Sequence, residues 1–181
     1  MALFTKGDAI EAEHEAKAGL AARDDARLHY ALALAYYGQQ KVADALAEAK
    51  VAVARGAGPD AALLVGKLAI EARDYEAARE ALGPLTKGER PDPDALFDMG
   101  IVWTGLGKYN EAREAYLATL RADPGYANAR FNLALLTLDH GVVEEAKHHA
   151  RKFAELAPQE TQKIGYLSQR LAAGPPPQQR R

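Results

Sequence analysis

Cysteine is absent from this 181-residue chain. Its absence excludes disulfides, thiolate metal sites and a cysteine nucleophile, and it is compatible with any redox compartment. A dominant charge of one sign is lacking too: 23 basic residues face 25 acidic ones, a net charge of -2. Such a balance makes no strong field for a polyanion, so neither nucleic acid nor an anionic membrane surface is an expected partner. No apolar run approaches the roughly 18 to 20 residues that a membrane span needs. Residues 1–6 show neither the basic flank and apolar core of a signal peptide nor its small-residue cleavage site, so a cytoplasmic protein without membrane insertion is expected. Phosphate loops, zinc-ligand spacings and nucleophile elbows are also missing. The expectation is therefore a protein that is not an enzyme and uses no cofactor. What is present is a 48% hydrophobic, 27% charged sequence, the profile of a soluble array or domain with a buried core.

The chain repeats itself in 34-residue steps. Gly107 and Gly141, Ala112 and Ala146, and Pro124 and Pro158 each recur at that interval. Followed N-terminally, the register meets Ala78, with Gly66 paired to Gly100 and Tyr75 to Tyr109. Steps of 33 residues then reach Ala45 and Ala12. Copies of a short supersecondary unit cannot bury their own apolar faces, so they must stack, and a stacked array usually presents a binding surface. Within a unit, Leu96, Met99, Gly100 and Trp103 are spaced for one face of a first helix, and Tyr109, Ala112, Tyr116 and Thr119 for one face of a second. Gly100 and Ala112 are small where the two helix backbones would come closest. Asp123-Pro124 ends the second helix, because proline cannot continue it.

These residues resemble the tetratricopeptide repeat, a family of 34-residue helix-turn-helix units. Residues 93–126 place Leu96, Met99, Gly100, Trp103, Gly107, Tyr109, Ala112, Tyr116 and Pro124 at the signature positions, and Thr119 departs from the usual alanine. Residues 127–160 keep Leu133, Ala134, Gly141, Ala146 and Pro158 but carry Arg130 and Thr137 where large apolar residues are usual. Residues 59–92 keep Val65, Gly66, Tyr75 and Ala78, and residues 25–58 keep Leu32, Ala33, Tyr36, Ala45 and Ala52. Pentatricopeptide arrays have nearly the same period but bind RNA and are typically basic, unlike this chain; Sel1-type repeats run a little longer with a different glycine pattern. The resemblance implies an all-α fold, a right-handed α-solenoid of stacked helical hairpins. It comprises a half repeat at 1–24, units at 25–58, 59–92, 93–126 and 127–160, a C-terminal capping helix at 161–173 and a disordered tail at 174–181.

In the cap, Ile164, Leu167 and Leu171 continue the inner-face spacing. At the other end, Ala9, Ala12, Ala16 and Leu20 form a face of small residues, to be met by solvent or by a second copy, which leaves a homo-oligomer open. Pro84 has no N–H for the carbonyl of Glu80, so a kink or early stop is expected at Gly83-Pro84, followed by a loop through Pro93.

By the same resemblance the first helices line a concave groove that binds a protein or peptide partner. The corresponding positions here are Tyr30, Leu34, Tyr37, Leu63, Lys67, Ile70, Phe97, Ile101, Thr104, Asn128, Phe131, Leu135 and Leu138. Most are apolar, so the expected ligand is an apolar or amphipathic segment. Lys67, Asn128 and Asn132 are the only candidates for gripping a terminal carboxylate, and hydrophobic residues elsewhere argue against that clamp. His140, His148 and His149 cluster late, but adjacent helical residues point about 100° apart, so no metal site is expected. The alternative function is that of a structural subunit, or a homodimer using the same surface and the N-terminal end.

Overall fold

Four turns of nearly identical geometry organise this chain. In each, the amide one residue past the turn donates back five residues to close the preceding helix: Lys41 to Tyr36 (3.0 Å), Asp74 to Ala69, Lys108 to Trp103 and Val142 to Thr137 (2.8 Å each). This is the hydrogen-bond pattern of a helix closed by one left-handed residue. Gly107 and Gly141 supply that residue at φ 71° and 79°, where the missing Cβ removes the penalty. In the first two turns Gln40 (φ 63°) and Arg73 (φ 58°) hold the same conformation without being glycine. The turn therefore outlasts the residue that suits it best.

A computed structural model describes residues 6–176; the expected disorder of the last residues, 177–181, falls outside the described part. Among the described residues there are ten helices and no strand: α1 (Lys6–Ala22), α2 (Ala26–Gly38), α3 (Val42–Ala54), α4 (Pro59–Glu71), α5 (Tyr75–Leu82), α6 (Pro93–Gly105), α7 (Tyr109–Ala122), α8 (Ala127–Asp139), α9 (Val143–Leu156) and α10 (Thr161–Ala173). Helix starts are written in the sequence. Asp25, Asp74 and Asp92 accept the amides of Arg27, Ala77 and Ala95, and Pro59 and Pro93 open α4 and α6, where a missing N–H costs nothing. The chain divides into two compact units, one through Lys87 and one from Gly88.

In the first unit, α2 and α3 form one hairpin and α4 and α5 another, α3 packs on α4, and α1 lies against α2. Its core joins Ala33, Ala45, Ala49, Leu64, Val65 and Leu68. Helix α5 stops at Leu82, and Gly83–Thr86 form a single 3₁₀ turn. Pro84 has no amide with which to carry the α-helical ladder onward.

In the second unit, α6/α7 and α8/α9 are the hairpins, α7 packs on α8, and α10 packs on both α8 and α9. One core cluster joins Ala112, Tyr116, Leu120, Ala129, Leu133 and Leu136, and a second joins Ala134, Phe153, Ala157 and Leu167. Of the alanines in register, Ala45, Ala78, Ala112 and Ala146 are wholly buried, while Ala12 is half-buried. Gly100 is small for a different reason from the one its sequence position suggests. A Cβ there would meet the ring of Tyr116, at 2.3 Å from Cε1, rather than the backbone of the facing helix. Gly66 stands in the same relation to the side chain of Leu82.

The two departures from the family pattern in α8 are also accounted for. Thr137 is fully buried and donates its hydroxyl to the carbonyl of Leu133 at 2.7 Å, so its polar atom is satisfied inside its own helix. Arg130 points to α9, where its Nη1 lies 3.2 Å from Nδ1 of buried His149. Burial, the Arg130 charge and His148 push the His149 imidazole down to about 4, so it is neutral near pH 7 and its Nδ1 accepts from the guanidinium.

Candidate partner-binding site

The second unit carries an apolar cleft of about 420 Å³ beside α6 and α8. Ile101, Leu135 and Leu136 supply hydrophobic walls, and Tyr116 of α7 lies at its base with Thr104 and Asn132 on either side. The three polar groups at the base form a chain. Thr104 donates to the Gly100 carbonyl at 2.7 Å, so its oxygen is left to accept the Tyr116 hydroxyl at 3.3 Å, while the Asn132 amide approaches that hydroxyl at 3.4 Å. Burial first, with a contribution from Asp98, holds the Tyr116 phenol above its ordinary range, so it stays protonated. At the rim, Tyr109 and His140 stack at 3.9 Å, and the Nδ1–H of His140 donates to the Leu136 carbonyl at 2.9 Å. Asp139, at the same rim, is paired with Arg170. The walls suit a hydrophobic side chain; the carboxamide of Asn132, only part-buried, suits a backbone amide.

Only some of the expected groove residues meet in this cleft. Ile101, Thr104 and Leu135 line it. Leu138 does not belong to any surface: it is fully buried, because its place on α8 turns it inward beside Thr137. Phe97 is half-buried in an aromatic cluster, 5.0 Å from Tyr126 and 5.8 Å from Tyr116. Phe131 is likewise engaged, 5.3 Å from Phe153 and 6.5 Å from Tyr166, with the Lys163 ammonium 5.8 Å above its ring. Asn128 is exposed and accepts from Lys163 at 3.4 Å. Much of the surplus apolar face on the first helices is thus covered from within the chain.

In the first unit, Tyr30, Leu34 and Tyr37 of α2 are half-buried against the core, and Leu63, Lys67 and Ile70 of α4 are part-exposed. The positions implied by the family resemblance did not include Tyr109, Tyr116 and His140, which also line the cleft. Tyr109 and Tyr116 read as packing positions, and His140 as one of a histidine group. Only the fold shows that the packing phenol of Tyr116 is also the base of a cavity. The histidines divide their labour: His140 stacks at the rim, His149 pairs with Arg130, and His148 is exposed. Among the described residues, no group of three or more His, Cys, Asp or Glu could hold a metal ion, and no helix is long and apolar enough to cross a membrane.

Helical hairpins joined by one recurrent turn and stacked within each unit define the class of helical-repeat scaffolds. Sequence comparison agrees in detail. The family model of the tetratricopeptide repeat matches residues 63–127 and 105–160, more than half of the chain, and the chain belongs to that family. Its members generally mediate protein–protein interactions and are typically not enzymes. No curated protein sequence matches the chain. Among solved structures, that of MamA is 24% identical, covers 87% of this chain and 93% of its own, and superposes with a TM-score of 0.78. PilF of Pseudomonas aeruginosa is 18% identical, with coverage of 92% and 84% and a TM-score of 0.74. YrrB, described as a TPR protein with an unusual peptide-binding site, is 20% identical, with coverage of 78% and 73% and a TM-score of 0.69. At these identities the likeness shows the fold alone.

Proposed function

We propose that this protein is a non-enzymatic adaptor that holds an apolar or amphipathic segment of a partner protein on the surfaces of its first helices, with the α6/α8 cleft as the principal anchor site. The observation that carries this reading is the cleft itself: hydrophobic walls around a small set of fixed polar groups, open to solvent. An anchor side chain buried there contributes roughly 1.5–3 kcal/mol. Association costs about 4–15 kcal/mol, so several such contacts sum to reversible binding at micromolar concentrations. Half-buried Tyr37, Leu63 and Ile70 offer further apolar contact in the first unit.

Selection of a displayed peptide library on the intact chain, followed by calorimetric titration, tests the proposal. Leu135→Ala and Ile101→Ala should weaken selected peptides at least about tenfold, the loss of one anchor. Both side chains also pack against the core, so a thermal melt of each variant is measured alongside to separate lost binding from lost folding. Peptides that bind both variants as well as the parent would place the site elsewhere. Phe97 and Phe131 are poor test positions, because their rings hold neighbouring helices together.

A further inference from the structure

The second helix of a hairpin in this chain is typically seated between two first helices: α3 packs on α2 and α4, α7 on α6 and α8, and α9 on α8 and α10. Beside α9 and α10 lies a further seat of the same kind, an apolar cleft of about 270 Å³. Ala150, Ala154, Leu167 and Leu171 floor it, and Lys147 and Arg151 edge it. We propose that this seat receives α1 of a second copy, so that chains associate end to end.

The template for the contact is present within the chain. Successive second helices α7 and α9 are tied by Arg113, whose Nε and Nη2 lie 2.9 and 2.8 Å from Oε1 of Glu145. Arg113 follows Ala112 and Glu145 precedes Ala146, the buried alanines of the 34-residue register. On α9 the residue that follows Ala146 is Lys147, and on α1 the residue that precedes Ala12, the alanine of the same register, is Glu11. A helix α1 placed beside α9 as α9 is placed beside α7 brings Glu11 to Lys147. One turn further, about 6 Å along both helices, the same register brings Glu15 to Arg151.

The charges are available for it. Glu11, Glu15 and Arg151 are exposed and form no ion pair among the described residues, and Lys147 is held only by exposed Glu144 at 2.8 Å. Next to Glu11, Ile10 is 54% exposed, the most exposed large hydrophobic side chain described. It adds apolar surface at the edge of the contact. The two surfaces differ, so the contact is heterologous and extends into open chains rather than closing as a dimer.

Light scattering or sedimentation of the full chain between about 10 μM and 1 mM covers the affinity of a small charged contact. The weight-average mass should rise above 19.5 kDa, at least doubling by the upper limit, and fall back in high salt. Two variants separate this contact from any other. Glu11→Lys with Glu15→Lys makes both ends basic, Lys147→Glu with Arg151→Glu makes both ends acidic, and each alone should remain at 19.5 kDa. Mixed in equal amounts they should recover association, because each repels itself and complements the other. All four positions are exposed, and a thermal melt of each variant confirms folding. A mass of 19.5 kDa throughout, variants that associate like the parent, or a mixture that does not recover would each overturn the proposal and leave the seat to a different protein's helix.

Discussion

Replacing Gly100 by alanine isolates the close approach on which the α6/α7 hairpin rests. A Cβ at that position would lie 2.3, 2.5 and 2.8 Å from Cε1, Cδ1 and Cζ of Tyr116. The ring is held in place: it is 2% exposed, lies 5.8 Å from Phe97, and has its hydroxyl between Thr104 and Asn132, so moving it toward the cleft would break those contacts. Overpacking of this kind costs about 1–3 kcal/mol, and with a fully buried ring we take the upper half of that range. Alanine returns up to about 1 kcal/mol through its helix propensity. The net expectation is a loss of about 1–3 kcal/mol.

Gly165 of α10 provides the control, because nothing lies within 4 Å of a Cβ built there. Gly165→Ala receives the propensity term without the clash and should gain up to about 1 kcal/mol. Chemical denaturation followed by the fluorescence of Trp103, the chain's single tryptophan and a residue of the second unit, reads both variants in the unit that contains them. If Gly100→Ala proved as stable as Gly165→Ala, the geometry of Gly100 against Tyr116 would be wrong, and with it the base of the cleft.

Gln40 and Arg73 hold left-handed conformations at about 1 kcal/mol or more each. Glycine at either position should therefore stabilise the first unit by roughly 0.5–1 kcal/mol after its greater unfolded-state entropy is deducted; urea unfolding that showed a loss instead would refute the turn assignment. His149, pushed down to about 4 by burial, Arg130 and His148, takes up a proton in the unfolded chain near 6.5 but not in the folded one. Its contribution is complete above about pH 6.5 and drains away between about 6.5 and 4, on the order of 3 kcal/mol. His149→Leu should flatten that part of the stability profile whatever its absolute stability, and an unchanged slope would assign the loss to other groups. His29 behaves in the opposite sense: burial opposes its charge, but Glu48 at 2.6 Å and Asp24 at 2.8 Å outweigh it and raise its pKa. Its stabilisation is complete below the unfolded value and is lost as pH rises through the folded one, so NMR titration should place His29 above an ordinary histidine, and a value at or below 6.5 would contradict the two carboxylate contacts.

The helical class, the hairpin spacing and the early end of α5 were legible because each depends on local chemistry. Turn glycines and proline act within a few bonds of where they are written, and the 34-residue recurrence of glycine and alanine repeats the same local pattern. The turn at Arg73 was harder to see, since the usual glycine is missing and only its backbone angle shows the equivalence. The candidate site was legible in part. The family resemblance pointed to Ile101, Thr104 and Leu135, which do meet in the cleft, but also to Leu138, which is buried, and to Phe97 and Phe131, which are engaged by neighbouring rings. Position on a helix says which way a side chain points. It does not say what stands opposite.

By itself, the sequence determined the repeat, the family and the order of helices, because periodicity and capping are properties of neighbours along the chain. Tertiary structure alone decided which apolar side chains remain available. It placed Tyr126 over Phe97, Tyr166 and Lys163 beside Phe131, and Tyr116 beneath a cleft, all by contacts between residues distant in sequence. It also turned Arg130 from an exception into the partner of a neutral histidine 19 residues away. Burial is a sum over all such neighbours, so it exists only once the helices have packed.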